Sequence, residues 1–214
     1  MSSRDVILGR VRAALSDVPN QERPQDVPLA RRYRPAHAPD DPGELLDLLE
    51  DRLTEYRATV YRCDPAALPD TVAVVLAQRG TRTVAVPGGL PEEWLSAAAI
   101  TRIADAPALS PRACDAVDGV VTGCALAIAE TGTIVLDGGP GQGRRALSLI
   151  PDHHLCVVRA PEQIVASVPA AVARLTPTRP LTWISGPSAT SDIELERVEG
   201  VHGPRVLDVV LVRT

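Results

Sequence analysis

The sequence predicts an α/β fold: a single, mostly parallel sheet flanked by helices, with an N-terminal helical arm. Three observations point there. Short apolar, β-branched runs alternate with helical stretches over residues 43–214, the pattern of a sheet with helices on its faces. A stretch of 27 residues from Asp17 to Gly43 holds six prolines, too many for a helix or a central strand, and sets the first helix apart as an arm. The chain has 214 residues, 45% of them hydrophobic, and a chain of that length buries roughly 70% of its unfolded surface without a disulfide or metal staple. The division predicted is an arm and linker at 1–42 and an α/β domain at 43–214.

Element by element, residues 4–15 place Val6, Ile7, Val11, Ala14 and Leu15 close to helical spacing, with Ser3 as the expected N-cap. A helix follows from Glu44 through Leu45, Leu46, Leu48, Leu49 and Leu53. Ala58–Arg62 reads as a strand, Ala66–Gln78 as a helix closed by Gly80, and Thr81–Val86 as a strand ended by Pro87-Gly88-Gly89. Pro91–Ala98 reads as helical, with Glu92 and Glu93 where the helix dipole favours them. Gly119–Ala129 and Thr131–Leu136 are strand-like runs around Glu130-Thr131-Gly132, a tight antiparallel turn in which Gly132 accepts positive φ. Leu155–Val158 is a strand, Glu162–Arg174 a helix, Leu181–Ile184 a strand running into Gly186, and Val206–Val212 a last buried strand.

Composition excludes several chemistries. All 22 basic residues are arginine, so the chain has no lysine for a Schiff base or a P-loop. A net charge of −5 and the scarcity of aromatics, with no Phe, two Trp and three Tyr, argue against nucleic-acid binding. Arg31, Arg32 and Arg34 form a basic cluster inside the linker and read as solvated charge. Cys63, Cys114, Cys124 and Cys156 show no metal-ligand or framework spacing and read as reduced thiols. Neither zinc nor an iron–sulfur cluster is expected on this chain alone. No apolar run is long enough for a membrane span, and charges interrupt the N-terminal stretch; the expectation is a cytoplasmic protein.

Four places carry candidate chemistry. The segment Gly138–Arg145 could converge backbone N–H groups on an anion, with Gly141 and Gly143 giving close approach and Arg144 a bidentate contact; it could equally be a hairpin tip with solvated arginines. The junction after Ile184 offers the hydroxyls of Ser188, Thr190 and Ser191 as anion donors, with Asp192 beside them among the ligand-binding candidates; equally Ser188 or Ser191 is a helix cap, and Ser191 with Glu194 spells a capping box. His202, between Gly200 and Gly203-Pro204, is a candidate for proton handling or for a backbone hydrogen bond in a turn. Glu130 is a nucleophile or base candidate if its turn faces a cleft, and otherwise a solvated turn residue. His153-His154 reads as a loop whose rings point to opposite sides. A single cleft lined by Arg144, Ser188 to Asp192, His202 and Glu130 is the expectation.

Thr122-Gly123, AIAETGTIVL at 127–136, LSLIPDHH at 147–154, GPSATSDIE at 186–194 and GVHGP at 200–204 stand in this order. Together they resemble the LUD domain family, in its short, cluster-free form with a helical arm. The resemblance implies a fold similar to the sugar-isomerase and CoA-transferase superfamily, with Thr122 among the ligand-binding positions. It also implies a part in oxidising L-lactate to pyruvate beside two lactate-utilisation partner proteins that hold the iron–sulfur clusters. On this chain it implies no bound cofactor and a possible small anionic ligand. A second reading from the same superfamily gives Glu130 the acyl-accepting role of a CoA transferase, although Thr131 stands where the transferase turn usually has Asn. A third is a scaffold that serves docking alone.

Overall fold

The structure is a computed structural model that describes residues 2–19, 21, 23, 39, 41–190, 198–199 and 202–213. The chain divides into two compact units, Met1–Tyr33 and Arg34–Thr214. In the first, α1 (Ser3–Ala14) begins one residue earlier than the spacing suggests. Ser2, not Ser3, is its cap: the Ser2 hydroxyl accepts from the Asp5 N–H at 3.3 Å, and the Asp5 carboxylate accepts from the Ser2 N–H at 3.0 Å. This reciprocal box satisfies two free donors at the helix start. No α1 side chain is buried. The basic cluster at Arg31, Arg32 and Arg34 lies outside the described residues.

The second unit opens with α2 (Pro42–Glu55), capped by Asp41 through the N–H groups of Gly43 and Glu44. Its leucines at 46, 49 and 53 fall on one face and are buried. Then come β1 (Thr59–Cys63), α3 (Leu68–Gln78), β2 (Thr83–Val86), β3 (Thr101–Ala104), α4 (Pro111–Asp115), β4 (Gly119–Thr122), β5 (Leu126–Ile128) and β6 (Thr133–Leu136). They are followed by α5 (Arg145–Leu149), β7 (His153–Ala160), β8 (Ile164–Val165), α6 (Val168–Arg174), β9 (Thr182–Ile184), β10 (Ala189–Thr190), β11 (Val198–Glu199) and β12 (Val206–Arg213).

The main sheet has six strands in the order β1-β12-β7-β4-β2-β3, every neighbouring pair parallel. Its central strands, β7 and β12, are buried along nearly their whole length, as an all-parallel sheet covered on both faces requires. On one face Leu155, Val157 and Val210 pack with Val72, Val75 and Leu76 of α3. On the other Cys156, Val158, Val209 and Leu211 pack with α2 and with a second, smaller sheet.

That second sheet, in the order β8-β5-β6-β9, departs from the single sheet the sequence suggests, although its antiparallel β5–β6 turn and the β9 strand are ones the sequence predicts. Its strands β5 and β6 are as apolar as those of the main sheet, so composition does not separate the two. The Ala129–Thr131 turn joins them antiparallel. Gly132 there has φ +57°, and a Cβ would meet the Arg52 backbone at 2.7 Å, so both conformation and space demand glycine.

Several boundaries differ from those expected. Pro91–Ala98 forms a 3-10 turn at Glu92–Leu95. The run Glu162–Arg174 splits into β8 and α6, because Ile164 and Val165 add a parallel strand to β5 before Ser167 caps the helix. The histidine pair stands on β7 instead of a loop.

Leu49, wholly buried beneath α2, supplies a test of this packing. Leu49→Ala lowers unfolding stability by about 2–5 kcal/mol in a urea titration. A loss below about 1 kcal/mol contradicts the placement.

Candidate functional site

In a parallel sheet the strand order marks where a ligand crevice opens. Here the chain steps from β2 outward to β3 and then returns to β4 on the other side of β2, so the reversal lies between the carboxyl ends of β2 and β4. Pro87-Gly88-Gly89 and Thr122-Gly123 line that gap, and the glycine-rich segment fills it. The Gly141 N–H donates to Gly88 O at 2.9 Å, and the Gly123 N–H donates to Gly141 O at 2.9 Å. A Cβ on Gly89 would meet Pro140 at 2.9 Å, and one on Gly143 would meet Leu147 at 2.9 Å and Pro87 at 3.0 Å. The segment is thus a packed plug instead of a hairpin tip. Its ends are tied down: the Gln142 side chain accepts from the Asp137 N–H at 2.7 Å, and Arg179 pairs with Asp137 at 2.7 Å.

Arg144 stands at the end of the plug. It grips Asp105 with two bonds of 2.8 and 3.0 Å and donates to Leu109 O. Its hydrogen bonds are the main cause that lowers the Asp105 pKa. Gly141 and Gly143 therefore serve close packing in this state, and Arg144 serves an ion pair.

A cavity of about 240 Å3 opens beside the second sheet. β9, the turn Ser185–Ser188, Ser148-Leu149 of α5 and His202–Pro204 line it. Ser188 binds the returning chain twice: its N–H donates to Pro204 O at 2.8 Å, and its hydroxyl accepts from the His202 N–H at 2.9 Å. At the cavity wall the Ser185 hydroxyl meets Thr133 at 2.8 Å, and Thr133 meets Thr131 at 2.8 Å. Three hydroxyls thus run from the Glu130 turn to the cavity, a row that no motif in the sequence marks.

Of the groups expected in a single cleft, Ser188 and His202 line this cavity, whereas Glu130, Gly141, Gly143 and Arg144 are not among its lining residues. Glu130 is half-buried on its turn, with its N–H bonded to Ala166 O. Thr190 pairs through β10 with Val198 of β11, and its side chain lies outside the described residues, as do Asp192 and the Ser191–Glu194 capping box. Thr122 is fully buried, and its hydroxyl meets His154 Nε2 at 2.7 Å.

The two β7 histidines point to opposite faces, as alternation requires. Among the described residues His154 has no partner at Nδ1; burial, with His153 beside it, lowers its pKa to about 3. His153 bridges Asp208 Oδ2 at 2.8 Å and Thr81 Oγ1 at 2.9 Å. Asp208, fully buried on β12, also receives Arg79 Nε at 2.8 Å and Nη2 at 2.7 Å. Burial would raise its pKa, but the Arg79 and His153 bonds outweigh it and hold the carboxyl below its usual value. In the sequence this network leaves one mark, an aspartate inside the apolar run Val206–Val212.

The remaining polar cores are thiols. Cys114, Cys124 and Cys156 are buried free cysteines and Cys63 is half-buried. The Cys124 thiol donates to Gln163 Oε1 at 3.7 Å; the neighbouring Cys156 thiol and burial raise its pKa well above the usual thiol value.

The LUD domain description matches residues 46–212, most of the chain. The chain belongs to the LUD domain family. Lactate utilization protein C of Deinococcus radiodurans is 50% identical over 182 residues, covering 83% of this chain and 84% of that one. A protein of the same name from an Exiguobacterium species is 27% identical over 206 residues, 87% of each chain. A crystal structure of a DUF162 family protein from D. radiodurans is 45% identical and matches with TM-score 0.69, covering 81% of this chain and 99% of that one. The α/β architecture of this LUD protein is thus shared with a solved structure. Among its described residues no helix is long and apolar enough to cross a membrane.

The depressed His154 pKa links stability to pH. Between about 3 and the usual 6.5 the unfolded chain binds a proton that folded His154 refuses, so stability falls as pH falls through that window. Wild type should lose roughly 3 kcal/mol more than His154→Gln between pH 7 and pH 4 in urea titrations. Identical pH profiles for the two proteins contradict the assignment.

Proposed function

We propose that this LUD protein serves L-lactate utilisation as a cluster-free component that assembles with two iron–sulfur partner proteins while lactate is oxidised to pyruvate. The observation that carries this reading is the 50% identity, over more than four-fifths of both chains, to a protein named Lactate utilization protein C. In this reading the α/β domain of residues 43–214 is the working body, residues 1–42 are the arm that docks on a partner, and the complex is cytoplasmic. The chain itself supplies no cofactor. Its cysteines are dispersed and mostly buried, which fits a subunit that leaves electron carriage to its partners.

The second-sheet cavity is the proposed place for a small anionic ligand. Ser185 and Ser188 offer hydroxyls there, and His202 adds a ring able to donate to a carboxylate. Its volume of about 240 Å3 suits a molecule of a few heavy atoms. Glu130 does not line this cavity, so in this reading that carboxylate takes no part in holding the ligand.

Two measurements check the reading. Deleting the gene should abolish growth on L-lactate as sole carbon source while sparing growth on pyruvate, and the tagged full chain should co-purify with iron–sulfur proteins. Unimpaired growth on L-lactate contradicts it. For the cavity, pyruvate at 100 times its dissociation constant should stabilise the wild type by about 2.7 kcal/mol. Ser188→Ala should weaken that affinity several-fold, and an unchanged affinity moves the ligand elsewhere.

A further inference from the structure

A different hollow, of about 490 Å3, lies at the opposite edge of the main sheet, where the parallel strands begin. Arg79, Thr81, Asp118, Asp152, His153 and Arg205 are among the residues that line it. Its floor is a buried chain of hydrogen bonds. The Asp208 carboxylate can only accept, so His153 Nε2 carries the proton toward it; His153 Nδ1 shares a 2.9 Å bond with the Thr81 hydroxyl, in which a neutral ring accepts from the Thr81 O–H. The hydroxyl oxygen of Thr81, on the cavity wall, keeps lone pairs for a further donor.

The charges around the hollow are unequal in availability. Arg79 is held by Asp208 through two bonds. Asp118 is held by the N–H groups of Arg82 and Thr83 and by the Thr83 hydroxyl, at 2.8–2.9 Å. Arg205 and Asp152, by contrast, pair at the mouth with side chains 60% and 61% exposed. Such an exposed pair contributes little to stability. Its guanidinium fork can therefore exchange Asp152 for an incoming carboxylate at small cost.

We propose that this cavity is a ligand site for a small α-hydroxy carboxylate. The ligand hydroxyl donates to Thr81 Oγ1, extending the line through His153 to Asp208, and the ligand carboxylate takes the Arg205 fork. The inference rests on the lactate reading above for its choice of ligand, and it adds a place and a recognition chemistry distinct from the second-sheet cavity. Thr81 and Arg205 bind the ligand; His153 and Asp208 are positioning residues that orient the Thr81 hydroxyl.

The test is thermal unfolding of the full chain titrated with L-lactate and with propionate, which lacks the hydroxyl. Wild type, Thr81→Val, Arg205→Gln and a control, Arg159→Gln, which removes an exposed arginine outside this cavity, are compared. The expected result is a shift with L-lactate, at least tenfold weaker affinity for propionate, and a tenfold or greater loss of L-lactate affinity in Thr81→Val and Arg205→Gln but not in Arg159→Gln. Should Thr81→Val fail to fold, the exposed Arg205→Gln carries the test. No L-lactate shift in wild type, or equal affinity in the wild type and both cavity variants, overturns the proposal. Growth on L-lactate is read separately: a chain that supports growth yet shows no shift dependent on Thr81 and Arg205 sinks this inference and leaves the lactate reading standing.

Discussion

One carboxylate organises the amino-terminal edge of the main sheet. Asp208 sits without solvent exposure on β12, between β1 and β7, and an isolated ion there would be costly to bury. Arg79, just past the end of α3, and His153, at the start of β7, compensate it. Arg79 also reaches Thr59 at the start of β1, and His153 reaches Thr81 before β2. The first residues of several strands are thus tied to one charge, which sets the register from which the parallel ladders run. Removing one partner of such a network is far more damaging than its small number of bonds suggests, because a buried charge is left unpaired.

The opposite edge is governed by space instead of charge. The glycines at 89 and 141, both at positive φ, remove side chains where backbone must approach backbone, and the chain uses the room to seat its own Pro140-Gly141. The crevice that open α/β sheets commonly give to a ligand is therefore closed in this state by an internal plug. Two other openings lie away from it: the cavity by the second sheet and the hollow at the amino-terminal edge. This division explains why residues that look alike in sequence do different work. Arg144 closes a plug, while Arg205 stands in an exchangeable surface pair.

Much of the fold was legible in the sequence because it rests on local rules. The leucine spacing of α2, the buried strand Val206–Val212 and the positive φ of Gly132 all follow from periodicity or from glycine's freedom. The second sheet was not legible, since β5 and β6 carry the same apolar signal as main-sheet strands and only tertiary pairing sends them elsewhere. The short elements β3, α4 and α5 are missed for a different reason: five or fewer residues hold too little pattern to declare themselves. Of the candidate site, Ser188 and His202 meet as their flanking glycines and strand end suggested. The Asp208 network was hidden because its members lie far apart in sequence and each alone reads as ordinary: an aspartate in a strand, a histidine beside another.

The chain itself closes the crevice between β2 and β4. Hydrogen–deuterium exchange on the full chain tests it most directly, read at the amides of Gly123 and Gly141. Both should exchange orders of magnitude more slowly than an unstructured chain, since each donates to backbone within the plug. Exchange at both near the free-chain rate, with the β7 and β12 amides still protected, would show an open crevice and contradict the account.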